Sequence, residues 1–285
     1  MTDPFDLDQP LSATTFALFD VETTGLNPTY GHRVCEVACL CVRDGVERAR
    51  FESMVDPGRP ISAGAFYVNQ ITPDLLAGAP TFDAVAPCLL ELMNDAVLVA
   101  HNAPFDLGFL AAELEIARLP PPEGPVVDTL ALSRRAYSFP SNSLPAVALA
   151  LEVETGPAHR AMGDVWTTWH VLERILWDLD RRWQVTTLGG LLEFQGGSVP
   201  YPLPDVLPLP PTIAEALESR KPVRMHYVDA GGRATHRSVR PLRVTARRGY
   251  LYLIAHCYRA GEIRTFRLDR VVEMAIDDQA ADPTD

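Results

Sequence analysis

Between residues 196 and 212 the chain reads GGSVPYPLPDVLPLPPT. Six prolines behind two adjacent glycines remove backbone donors and forbid a regular helix, so no helix or sheet strand runs through this stretch. This is the best domain boundary in the chain, and one module is expected on each side. A length of 285 residues suits one medium domain and one small one. The expected boundaries are an N-terminal tail over 1–13, a first domain over 14–180, a Pro/Gly-rich linker over 181–211, a β-rich domain over 212–278 and an acidic tail over 279–285.

Charge divides in the same way. Residues 220–270 carry thirteen Lys and Arg against three acids, a balance of +10. The whole chain has a net charge of −12, which leaves −22 for the rest. Lys221 is the only lysine, so the basic block is essentially arginine, which suits planar two-point contacts to phosphate. A solvated basic face is the plainer alternative. The opening MTDPFDLDQP is acidic and lacks an apolar core segment, so it does not read as a secretory signal, and a cytoplasmic protein without a membrane partner is expected. Five cysteines, an odd number without a CxxC pair, predict free thiols, with Cys35, Cys39 and Cys41 on one face of a strand.

From residue 16 onward short apolar runs alternate with longer periodic ones, the pattern of an α/β layered domain. FALFDV (16–21) and AVLVA (96–100) read as buried strands. VCEVACLCV (34–42) and RARFESMV (48–55) read as an antiparallel pair around an Asp44-Gly45 turn, which makes the sheet mixed. Helices are predicted at 82–93, 104–117, 129–137, 143–151 and 160–178. In the last of these Met162, Val165, Trp166, Trp169, Leu172 and Leu176 form one apolar stripe. After the proline-rich stretch, IAEALESRKP reads as a short helix. VRMHYV, HRSVRPLRVT, YLYLIAHCY and EIRTFRLDRVVEMAI then read as strands of a small module near the lower size limit for independent folding.

Three places in the first domain put acids where apolar elements end. Asp20 and Glu22, two residues apart on a strand, project to one side and can hold a divalent cation between them. Thr23, Thr24 and Gly25 follow in a turn that a ligand can approach closely. AVLVA runs into His101, Asn102 and Asp106, and strand ends of such sheets are where ligands bind. Asp164 lies five residues after His159, at the margin of a buried helix face where an uncompensated carboxylate is costly. Together these residue types suit phosphodiester hydrolysis. Carboxylates hold two hard cations about 3.5–4 Å apart, and a neutral histidine takes a proton from the attacking water.

The segments FALFDVETTGLNP, LVAHNAPFDLGFL and HRAMGDV resemble the three motifs of the DEDDh exonucleases, typified by the proofreading epsilon subunit of bacterial DNA polymerase III. The resemblance extends over 14–178. It implies an RNase H-like fold with a mixed sheet flanked by helices, and 3′–5′ hydrolysis of single-stranded ends, DNA rather than RNA. It also implies two Mg²⁺ or Mn²⁺ ions on Asp20, Glu22, Asp106 and Asp164, with His159 as general base. Thr23, Leu26 and Phe105 would touch the terminal nucleotide, and His101 and Asn102 join them as substrate-site candidates. Asp128 matches a structural aspartate of the family.

YVDAGGRATHRSVRPLRV, LYLIAHCY and IRTFRLDRV resemble the WYL domain, a small Sm-like β-barrel module thought to bind nucleic acid or nucleotide-like ligands. Leu251 stands in place of that family's name-giving tryptophan. Arg237, Arg264, Arg267 and Arg270 are the anion contacts this resemblance implies, with a structural Asp269–Arg270 pair as the alternative for the last. Two rivals stay open: an exonuclease acting on RNA or short oligoribonucleotides, and a non-catalytic nucleic-acid or ligand sensor.

Overall fold

The computed structural model describes residues 5–28, 31–200, 210–229, 232–247 and 250–277. The expected acidic tail over 279–285 lies outside the described residues, as does most of the proline-rich stretch.

The first domain is built on β1 (Thr15–Thr23), β2 (Val34–Arg43), β3 (Val46–Met54), β4 (Val97–Ala100) and β5 (Val126–Asp128), in the spatial order β3-β2-β1-β4-β5. β1 pairs antiparallel with β2 and parallel with β4, so the sheet is mixed. The β2–β3 turn holds both Asp44 and Gly45 at positive φ (54° and 66°), the geometry a tight hairpin requires. α1 (Ala63–Asn69) and α2 (Pro73–Leu76) follow β3. α3 (Phe82–Met93) and α4 (Ala103–Ala117) cover one face of the sheet, packing on Ala17, Phe19 and Val21. α5 (Thr129–Ala136), α6 (Leu144–Leu151), α7 (Ala161–Trp183) and α8 (Leu188–Gln195) contribute to the other core, around Phe16 and Leu18. Strand alternation then decides where the acids go. Asp20 and Glu22 have the parity of Phe16 and Leu18, so they continue the face that α7 covers.

Two sequence boundaries move. Residues 181–195, expected as linker, complete α7 and form α8, whose Leu188, Leu191 and Leu192 are buried against the α7 core. The N-terminal tail is also tied down from Phe5 onward. Leu188 N–H donates to the Gln9 carbonyl at 3.1 Å and Gly189 N–H to that of Leu7 at 2.7 Å. Cys35, Cys39 and Cys41 are buried free thiols.

The second domain begins with α9 (Pro211–Ser219) and continues through β6 (Val223–Val228), β7 (Ala234–Arg247), β8 (Tyr250–Cys257), β9 (Glu262–Arg267) and β10 (Val271–Ile276). The segment read as one final strand breaks at a 3-10 turn over Leu268–Arg270, which separates β9 from β10. The sheet is antiparallel throughout, in the order β10-β6-β7-β8-β9, and no ladder joins its two outer strands among the described residues. Ile213 and Ala216 of α9 pack on Val223, Met225, Leu253 and Phe266 in its core.

The two domains touch at α1 and β10. A Cβ on Gly64 would stand 2.8 Å from the Val272 carbonyl oxygen and 2.9 Å from that of Val271, so backbone meets backbone because residue 64 has no side chain. A second junction lies near residue 140. Lys221 Nζ donates to the Pro140 carbonyl, and Asn142 N–H to Glu215 Oε1 at 3.4 Å. Among the described residues no helix is long and apolar enough to cross a membrane.

Candidate active site

Ligand oxygens of Asp20, Glu22 and Asp164 lie within 4.8 Å of one another. The first two come from the end of β1 and the third from the first turn of α7. Asp106, in the first turn of α4, is buried beside Asp20 and accepts the Val21 N–H at 3.2 Å. It stands next to the group of three rather than within it.

Charge crowding is the dominant property of this site. Burial, followed by the neighbouring Asp106 and Asp164, holds the Asp20 carboxyl well above the usual carboxylate range. Burial, then Asp164 and Glu36, pushes Glu22 up to about 8 against the pull of an Asn69 hydrogen bond. Burial pushes Asp164 up to about 6, opposed by His159. Burial likewise raises Asp106, opposed by the Val21 N–H. Hard oxygen donors that repel one another when ionised are a donor set suited to a divalent cation, which relieves the repulsion on binding.

His159 is exposed, in the left-handed region at φ 60°, two residues before α7, and its backbone N–H reaches the Asp164 carboxylate. The loop that carries it is seated on a glycine. A Cβ on Gly163 would fall 1.9 Å from the Pro157 carbonyl oxygen, an impossible distance, so only glycine lets the loop lie on the first turn of α7.

Thr23 is buried, with its hydroxyl donating to the Gly25 carbonyl at 2.7 Å. Leu26 and Phe105 line one cavity with Glu22. Neither ring nitrogen of His101 is open to a substrate. Nδ1 lies 2.9 Å from Thr129 Oγ1 and Nε2 2.9 Å from the Asn142 carbonyl. Burial lowers its pKa to about 4, so it is a neutral bracket between α5 and the loop before α6, which corrects its placement among the substrate contacts. Asn102 occupies the left-handed N-cap of α4, and its N–H donates to Asp128 Oδ1 at 2.8 Å. Asp128 also caps α5 through the Leu130 N–H.

Three participants carry no sequence signal of their own. Glu36 faces Glu22 across the β1–β2 ladder and is held by Arg160 through a two-point contact as short as 2.8 Å. Asn69, at the end of α1, donates to the Thr23 carbonyl at 3.2 Å. The His32 ring lies flat against Gly25, where a Cβ would be only 2.3 Å from it. Each arrives through tertiary pairing, and spacing along the chain reveals none of them.

In the second domain Arg264 and Arg237 make side-chain contacts within their own sheet. Arg264 is paired with Glu262 at 2.7 Å. Arg237 donates to Thr235 Oγ1 at 3.0 Å and sits 5.8 Å over the Phe266 ring. The backbone N–H of Arg267 donates to the Tyr227 hydroxyl at 3.4 Å. Arg270 lies in the 3-10 turn before β10, and the side chain of Asp269 lies outside the described residues.

A mixed sheet in this order, with carboxylates gathered between its first strand and a long closing helix, defines an exonuclease-type α/β domain. The chain belongs to the Exonuclease family, whose model matches residues 18–172, and it carries a WYL domain matched over 208–276. It is 39% identical over 172 residues to the DNA polymerase III PolC-type of Bacillus cereus, covering 59% of this chain and 12% of that one. It is 38% identical over 191 residues to a DNA polymerase III subunit epsilon-like protein of Rhodobacter capsulatus, covering 65% and 27%. The chain thus spans a small part of the length of the curated relatives it matches. In fold it resembles exonuclease I, with a TM-score of 0.54 at 15% identity over 92% of this chain and 64% of that one. The complex of E. coli exonuclease I with a dA16 oligonucleotide gives 0.53 at 18% identity over 85% and 55%.

Proposed function

We propose that this protein is a 3′–5′ exonuclease that hydrolyses phosphodiester bonds at the 3′ end of single-stranded nucleic acid and releases nucleoside monophosphates. The supporting observation is the meeting of Asp20, Glu22 and Asp164 within 4.8 Å in a domain of the Exonuclease family, with Asp106 alongside. Those four carboxylates would hold two Mg²⁺ or Mn²⁺ ions, which supply charge neutralisation and Lewis acidity at the scissile phosphate. His159 is exposed at the mouth of the site and takes the proton of the attacking water, while the adjacent Asp164 stabilises the charge it gains. Leu26 and Phe105 offer apolar faces to the terminal base, and Thr23 holds the turn that carries Leu26.

DNA is the preferred substrate in this reading, since both polymerase-type relatives carry the resembling domain. Arg237, Arg264, Arg267 and Arg270 would serve a strand or a nucleotide-like ligand at the second domain, in a region of +10 charge. Matched 5′-labelled DNA and RNA strands incubated with Mn²⁺ test the assignment. DNA should shorten from the 3′ end and Asp20→Asn should abolish shortening. Digestion that survives Asp20→Asn would refute the mechanism, and preferential shortening of RNA would refute the substrate.

A further inference from the structure

Beside Glu22 lies a cavity of about 280 Å³ that neither domain encloses alone. The first domain contributes Glu22, Leu26 and Phe105 to its lining, and the second contributes Leu251, Leu268 and Met274. We propose that the second domain supplies the outer wall of a mononucleotide pocket at the active site, and that Leu251, Leu268 and Met274 determine what that pocket accepts. This deepens the exonuclease reading and rests on it.

The dock that builds the wall is short and stiff. β10 lies on α1 at Gly64, where any side chain would strike the Val271 and Val272 carbonyls. α1 in turn is fastened to the catalytic turn at both ends. Ser62 N–H donates to the Thr24 carbonyl at 3.0 Å, and Asn69 donates to that of Thr23. One helix therefore separates the second domain from the residues next to Glu22. Leu251 and Leu268 belong to the second domain's core and are only 4% and 2% exposed, so each meets this cavity with an edge held in place by the core behind it.

The chemistry of the lining names the ligand. Both domains bring apolar side chains to the lining, which suits a flat aromatic ring. Glu22 marks the end nearest the carboxylate cluster, where a phosphate would meet bound cations. The volume falls just under the roughly 300–1,000 Å³ of ordinary ligand pockets, enough for one nucleoside monophosphate unit and too small for a base pair. A terminal base must leave its partner strand to enter. Leu251 is then a wall residue whose enlargement would narrow the pocket.

The test uses the full chain and thymidine 5′-monophosphate with Mn²⁺, read by titration calorimetry, so that no bond cleavage enters the signal. Leu251→Trp, which fills the cavity, should weaken binding by at least about tenfold. Leu242→Ala, at a position 43% exposed on the same domain, should leave it unchanged. The KM for the p-nitrophenyl ester of the same nucleotide should rise in parallel, with a smaller change in kcat. Unaltered binding by a folded Leu251→Trp protein overturns the proposal while the exonuclease reading stands. If that variant does not fold, Met274→Lys at a half-buried position decides in its place by the same criterion. Nucleotide binding that depends on Leu251 in a chain that digests no strand would sink the exonuclease reading and leave the pocket in place.

Discussion

Glu22 states the electrostatic problem of the site most plainly. Its folded pKa, about 8, lies above the ordinary glutamate value of 4.5, so the folded state binds the proton more tightly than the unfolded chain does. Ionisation of this group therefore costs stability as pH rises from about 4.5 through about 8, and the cost is absent below that window. In metal-free protein, Glu22→Gln should raise the Tm at pH 8 relative to wild type and leave the difference small at pH 5. Added Mn²⁺ should stabilise wild type more than the variant, which differential scanning calorimetry can check. Gly163 poses a steric version of the same argument. Gly163→Ala should displace the Pro157 carbonyl and the loop bearing His159, reducing kcat by roughly 10²–10⁴ if the histidine acts as a base. A circular dichroism spectrum like that of wild type would show that the loss of rate does not come from unfolding of the domain. Asp20, Glu22, Asp106 and Asp164 were read as candidates because each ends or opens an apolar element, and His159 through the resemblance carried by HRAMGDV. Glu36 and Asn69 were not, since one depends on strand register and the other on where a short helix lands.

At the scale of elements, periodicity worked where an element buries one continuous face. α3 was read at its observed bounds, and α7 was found but stopped five residues early, because Leu179 is followed by a charged last turn before Trp183. α8 was missed. It is one of the shorter helices, it carries Gly189 and Gly190 in its first turn, and it stands near enough to the proline-rich stretch to be absorbed into it. Leu191 nevertheless reaches full burial in the first core. Leu191→Ala should therefore destabilise the protein by about 2–5 kcal/mol in urea unfolding, as a core truncation and not as a linker change. β5, three residues long, is likewise too short for alternation to register, although it positions Asp128 to cap α5.

For the whole molecule, the division at the proline-rich stretch was legible from composition, while the meeting of the two domains at Gly64 was not. That contact depends on an absent side chain opposite a carbonyl, which no pattern of apolar residues encodes. A chain ending after Pro200 keeps α8 and the Val199 N–H bond to the Val126 carbonyl, and should fold; one ending after Trp183 should not. If the arginine-rich domain contacts phosphates, the longer fragment should show a shallower dependence of KM on salt than the full chain, by about one unit of log–log slope per lost contact.

The junction near residue 140 gives this molecule a built-in chemical reporter. Lys221 carries the only ε-amine in the sequence, and it is engaged by the Pro140 carbonyl across the boundary between domains. An amine-selective acylating reagent has a single side chain to find here. A mass-spectrometric time course of its attachment would report how strongly the Pro140 contact holds this one amine, without any engineered label.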